Sequence, residues 1–348
     1  MPKPMVHKMI AEMLDCHRLG SYLESKIPGF CGLKSILKFE GGQSNPTYLL
    51  ACESGRYVLR RKPAGKLLKS AHAIDREFRV MRALTDSDVP VPEMLHLCED
   101  SDVIGTDFYV MAYVSGCTFW DPALPEFDNA VRTEIYDQMN KVLVSIHNVD
   151  INMTGLSDYG RPGNYFDRQY NRWVSQYRAS ETETVRTMED IITWLGENMV
   201  ADDGQMALVH GDFRLDNLLF APKDGKILAV LDWELSTLGH PFSDIAFQCA
   251  LLRMPPDTAI KGLGDIDRKG IGIPSEEDYL ASYCRGMGIQ SINNWTFYLV
   301  FSLFRMAAIV QGVRKRALDG NASNSQAYRV GALVTPLVEL ATDLIPLN

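Results

Sequence analysis

The chain has 348 residues, 46 % of them hydrophobic and 23 % charged; this suits two lobes or two domains and is far from the weakly hydrophobic, highly charged composition of disordered chains. A net charge of −9, with no Lys and Arg run longer than three residues, argues against a nucleic-acid footprint, which requires concentrated cations along a phosphate backbone. Seven cysteines, an odd number with no Cys-x-x-Cys pair, read as reduced thiols of a cytoplasmic protein.

The first residues alternate charged with apolar side chains, which fits a leading helix and lacks the unbroken apolar core of a signal peptide. From Lys34 to Val114 short β-like runs are split by turn residues: LKSILKFE, then Gly41-Gly42, then PTYLLACE, then Ser54-Gly55, then RYVLRRK. One helix interrupts them, where Ile74, Phe78, Met81 and Leu84 recur at helical spacing up to Asp86-Ser87-Asp88 and Pro90. At about 100° per residue, Glu77 lies roughly 45° from the centre of that stripe and Asp75 about 115° away, so Glu77 faces inward. An apolar run from Phe108 to Val114 closes the region, and Ser115-Gly116 marks the boundary: a small antiparallel sheet with one helix over 1–115, then a larger lobe over 116–348.

The second lobe is mostly helical, with helices expected at 131–147, 166–177, 184–198, 275–286 and 292–318. The stretch 295–304 is the most apolar; it is about half of the roughly 20 residues a bilayer span needs, and Arg305 ends it, so no membrane segment is expected. Two short β-type runs, 205–209 and 226–231, each lead into a cluster rich in Asp. The first cluster is His210-Gly211-Asp212-Phe213-Arg214-Leu215-Asp216-Asn217. An acid and an Asn five positions apart can set a carboxylate and an amide oxygen around one loop. Phosphoryl transfer asks for that pair: an Asp to take or orient the acceptor's proton and an Asn to hold a metal. The second cluster, Asp232-Trp233-Glu234, supplies a further carboxylate of the kind Mg²⁺ accepts alongside phosphate oxygens.

Together these motifs resemble the aminoglycoside phosphotransferase and choline kinase superfamily, a relative of the protein kinases, over nearly the whole chain. The run from Gly163 to Trp173, with LDWELSTLGHPFSDIA, resembles the branch found as a kinase-like domain fused to acyl-CoA dehydrogenases. The resemblance implies an α+β, bilobal protein-kinase-like fold and an ATP- and Mg²⁺-dependent enzyme acting on a hydroxyl of a small molecule. By position it implies that Asp212 is the catalytic base, that Asn217 and Asp232 hold Mg²⁺, and that His210 braces the loop. Arg214 stands where a cation offsets charge on the transferring phosphoryl group, and Asp244 ties the loop down from behind.

For ATP, the resemblance points to the turn with Gly41, Gly42, Ser44 and Asn45 near the phosphates, and to Arg60 where many relatives have Lys, paired with Glu77. It makes Met111, Tyr113 and Val114 part of the hinge that meets adenine. Tyr165, Arg168 and Arg172 share one helix face and suit an anionic, hydroxyacyl-type substrate, or they brace the lobe. Two alternatives stay open. An aminoglycoside phosphotransferase asks for acids in the substrate lobe, and a regulatory nucleotide-binding pseudokinase has no need of Asp212, Asn217 and Asp232 together.

Overall fold

A computed structural model of the chain describes residues 9–11, 14–39, 45–63, 73–183, 185–222, 224–319 and 327–346. The chain forms two compact units: Met1–Thr118 with Thr154–Leu156 and Asn217–Leu235, and the remainder, Phe119–Met153, Ser157–Asp216 and Ser236–Asn348. The chain has the elements of an α+β, bilobal kinase-like fold, but the division is not a single cut after residue 115. Asn217–Leu235 joins the first unit through backbone bonds between Cys117 and Phe220 in both directions, 2.9 and 2.8 Å, and from Val230 N–H to Pro90 O, 2.8 Å.

The first unit is built on six antiparallel strands, β1 (Met9–Ala11), β2 (Leu33–Phe39), β3 (Thr47–Cys52), β4 (Gly55–Arg61), β5 (Met94–Cys98) and β6 (Phe108–Ala112), in the order β1-β2-β3-β4-β6-β5. The period of two sends Tyr48, Leu50, Leu59, Phe108 and Val110 to one face, where helix α1 (Cys16–Lys26) covers them with Leu19 and Leu23. Asp15 starts that helix, its carboxylate accepting from the backbone N–H of His17 and Arg18 at 2.9 and 3.0 Å. The alternate residues, including Tyr109, turn to helix α2 (Ile74–Ala83), whose Phe78 ring lies 6.1 Å from that of Tyr109. With both faces covered, β3 and β6 read as continuous apolar runs. Within the six-stranded sheet, β1 and the short β5, whose MLHLC is interrupted by a histidine, fall outside the sequence expectation. Strands β8 (Leu218–Phe220) and β9 (Ile227–Val230) complete this unit as an antiparallel pair.

The second unit holds α3 (Asn129–His147), α4 (Tyr165–Ser180), α5 (Arg186–Glu197), α6 (Phe242–Leu252), α7 (Glu276–Met287), α8 (Trp295–Leu318), α9 (Ala327–Gly331) and α10 (Val334–Leu344). It also contains the antiparallel pair β7 (Ala207–Val209) and β10 (Thr237–Gly239). Helix α8 is the hub, packed against α4, α5, α6, α9 and α10. By length and composition it could cross a membrane, but 78 % of its most apolar window is buried inside the unit, as in a core helix. All eleven residues of α6 are buried, so it carries no polar face.

Candidate active site

In the second unit, the loop after β7 alternates its side chains. Phe213 and Leu215 are buried while Asp212, Arg214 and Asp216 keep partial exposure. Gly211 has φ +83°, a left-handed conformation that glycine adopts at little cost. Asp244, in the first turn of α6, is fully buried and accepts from His210 N–H at 2.6 Å and Gly211 N–H at 2.8 Å. His147 Nε2 lies 3.4 Å from the same carboxylate, and its Nδ1 lies 2.6 Å from the Tyr283 hydroxyl. Burial works to raise the Asp244 carboxyl, yet the bond and charge of His147, with His210 and the Gly211 N–H, hold it below its ordinary value. The buried His210 accepts the Asp212 N–H at its Nδ1, 3.2 Å, and so closes the loop on itself. Arg214 forms a two-pronged pair with Asp216, Nε to Oδ1 at 2.5 Å and Nη2 to Oδ2.

In the first unit, the Arg60 guanidinium on β4 gathers acids from two segments. Its Nε lies 3.0 Å from Glu77 on α2, and its Nη2 lies 2.6 Å from Asp232 and 3.9 Å from Glu234. Nη1 donates to Thr47 Oγ1 at 3.4 Å. Glu77 is 1 % exposed and is also hydrogen-bonded by the Tyr109 hydroxyl. One cation among three carboxylates leaves a surplus of two negative charges when all are ionised. Burial, with Asp232 and Glu234 adding to it, pushes the Glu77 carboxyl up to about 7, against the pull of Arg60 and Tyr109. Burial works to lower the Arg60 value, but Glu77, Tyr109, Asp232 and Glu234 overcome it and keep the guanidinium firmly charged.

Asn217 and Asp232 stand at the same end of the β8–β9 pair, where Leu231 N–H donates to Asn217 O at 2.8 Å. Asp232 takes φ +64°, which a short polar side chain tolerates. Among the described residues no three His, Cys, Asp or Glu side chains gather as a metal cluster. An amide oxygen, a carboxylate and surplus negative charge nevertheless match the requirement of Mg²⁺, a hard cation that takes one or two protein oxygens and completes its shell with phosphate and water.

Residues 35–276 match the phosphotransferase enzyme family. The chain belongs to this family. Its activity class is phosphoryl transfer to small molecules. The chain is 49 % identical to acyl-CoA dehydrogenase family member 10 of Mus musculus over 92 % of its own length, and spans 30 % of the length of that protein. A solved structure from Ralstonia eutropha JMP134, provisionally named an aminoglycoside phosphotransferase, is 44 % identical with a TM-score of 0.87, covering 95 % of this chain and 98 % of that one. Spectinomycin phosphotransferase, solved with ADP and spectinomycin, shares the fold at 14 % identity and a TM-score of 0.64, over 96 % of this chain and 99 % of its own.

Of the other sequence candidates, Gly41, Gly42 and Ser44 lie outside the described residues. Asn45 is buried ahead of β3, and its carbonyl accepts from Thr47 Oγ1 at 3.1 Å. Met111 is buried in β6; the half-buried Tyr113 lies under the Arg56 guanidinium, 4.2 Å from its ring centre, and Val114 is half-buried. In the second unit, Tyr165 packs so closely on Gly239 that a Cβ there would come within 2.5 Å of its ring, and burial raises its hydroxyl. Arg168 is turned back on its own loop, donating to the carbonyls of Pro162 at 3.0 Å and Arg161 at 2.8 Å. That geometry favours the bracing reading for Arg168. Arg172 is exposed, its guanidinium 5.3 Å from the Trp173 ring centre.

The sequence reading did not single out Tyr109, Glu234, His147 or Arg305. Glu234 was visible in the Asp-Trp-Glu string; the other three carry no local signal and meet their partners through tertiary contacts.

Proposed function

We propose that the chain transfers the γ-phosphoryl group of ATP to a hydroxyl of a small anionic molecule of hydroxyacyl type. In this reading the acceptor oxygen attacks the γ-phosphorus, Asp212 takes its proton, and ADP departs with the bridging oxygen. Arg60, held by Glu77, orients the phosphates. Asn217 and Asp232 hold Mg²⁺, which supplies neutralisation of the phosphate charge. Asp244 and His210 keep the Asp212 loop in one geometry, so that its carboxylate is set before the acceptor arrives.

The observation that carries this reading is the pair of oxygen donors at one end of the β8–β9 pair, with Arg60 drawing Asp232 and Glu77 together. A binding-only module has no use for that set beside an intact Asp212. The anionic acceptor draws on the likeness to acyl-CoA dehydrogenase family member 10 and on the exposed Arg172. The test is ADP formation from MgATP with a panel of hydroxyacyl-CoA esters, free hydroxy acids and aminoglycosides. Turnover confined to the acyl compounds supports the proposal. Turnover confined to aminoglycosides replaces the acceptor, and nucleotide binding without any turnover returns the chain to a regulatory role.

A further inference from the structure

Arg305 lies in the middle of α8 and is 8 % exposed. Its guanidinium sits between two rings, 5.6 Å from the centre of Trp173 and 5.4 Å from that of Phe247. No ion pair involves it among the described residues, and its Nε finds no hydrogen-bond acceptor. A buried charge without a counter-ion is costly, and ring faces offset only part of that. Among the described residues, the one hydrogen-bond acceptor it reaches is the Gly211 carbonyl, 2.6 Å from Nη2.

That carbonyl belongs to the peptide joining Gly211 to Asp212. The N–H of the same peptide donates to His210 Nδ1 at 3.2 Å, so the peptide is held at both ends. The preceding peptide is held by Asp244 through the Gly211 N–H at 2.8 Å. Gly211, at φ +83°, has the least intrinsic stiffness of any residue type, and both planes flanking it are fixed from outside. Fixing them fixes the direction in which the Asp212 side chain leaves the backbone.

We propose that Arg305 is a positioning residue for Asp212, acting through the Gly211 carbonyl. The inference rests on Asp212 serving as the base of phosphoryl transfer. It assigns Arg305 no contact with substrate, so its loss lowers kcat and leaves the nucleotide's KM alone.

The test compares Arg305→Met, Arg305→Lys and a core truncation elsewhere in the unit, Leu195→Ala, by hydrogen exchange and by MgATP turnover with the acceptor panel. In Arg305→Met, amide exchange in residues 208–216 rises about tenfold beyond any rise in Leu195→Ala, and kcat falls about tenfold or more with KM for MgATP within about twofold. Arg305→Lys, which keeps a cation able to donate to the same carbonyl, recovers part of both. Exchange at 208–216 no faster than in Leu195→Ala overturns the proposal, as does a fall in kcat matched by a rise in KM. Should the wild type consume no MgATP with any acceptor, the phosphotransfer reading fails, while the exchange arm still decides whether Arg305 holds the loop.

Discussion

Glu77→Gln separates what the Arg60 cluster does for stability from what it does for nucleotide binding. Folding raises the Glu77 carboxyl from 4.5 to about 7, chiefly by burial, with Asp232 and Glu234 adding to it. Between those values the unfolded chain has lost the proton and the folded chain keeps it, so stability falls as pH rises. The stabilisation is complete below the unfolded value and gone above the folded one. At about 1.4 kcal/mol for each pH unit, the window amounts to about 3 kcal/mol. Glutamine is neutral throughout and keeps an oxygen for Arg60 and the Tyr109 hydroxyl, so the variant lacks this pH dependence. In urea denaturation between about pH 5 and pH 8, the stability of Glu77→Gln minus that of wild type should therefore grow by most of that amount and then level off. A difference that stays constant, or shrinks as pH rises, refutes the argument that burial and the surplus of carboxylates outweigh the ion pair.

Asp212→Ala should retain ATP binding by calorimetry and lose turnover by about a hundredfold or more, the scale of a missing general base; unchanged turnover removes Asp212 from the chemistry. Asp232→Asn preserves a side chain that tolerates the left-handed backbone at that position, so the unit should fold normally. Its half-saturating Mg²⁺ concentration for turnover should rise about tenfold, since a carboxylate ligand is replaced by a neutral oxygen. A shift below twofold would leave Mg²⁺ to other groups.

The fold was readable where local pattern and tertiary environment agree. Strands β2, β3, β4 and β6 and helix α2 follow from apolar runs, turn residues and one helical stripe, and Glu77 lies on the inward side that the spacing gives it. Helix α6 was not, because burial on every side leaves no 3.6-residue alternation to detect. The candidate site divides in the same way. His210 to Asn217 is contiguous, so its chemistry is legible as a string. Tyr109 reads as one more apolar strand residue, and only the fold brings its hydroxyl to Glu77. Arg305 reads as the charge that ends an apolar stretch inside a helix expected to run on to Leu318; only the fold shows that it is buried, with the Gly211 carbonyl as its acceptor.

The Arg at position 60 shows how a departure from the common Lys becomes intelligible once its neighbours are placed. Lysine offers one nitrogen, while the guanidinium serves Glu77 through Nε, Asp232 and Glu234 through Nη2, and Thr47 through Nη1. A single ammonium at the end of a shorter side chain cannot meet Glu77 and Asp232 with the same geometry, so Arg60→Lys leaves one of the two acids without its cationic partner. In the proposed function the same guanidinium meets the nucleotide's phosphates, and one charge-assisted hydrogen bond lost there is worth about 1.5 to 3 kcal/mol, or roughly ten- to a hundredfold in affinity. The KM for MgATP should rise by that factor, with a smaller fall in kcat because Asp212 and its loop are untouched. If Arg60→Lys instead leaves KM unchanged, one nitrogen suffices, and the multidentate contacts of Arg60 belong to the stability of the first unit rather than to nucleotide binding.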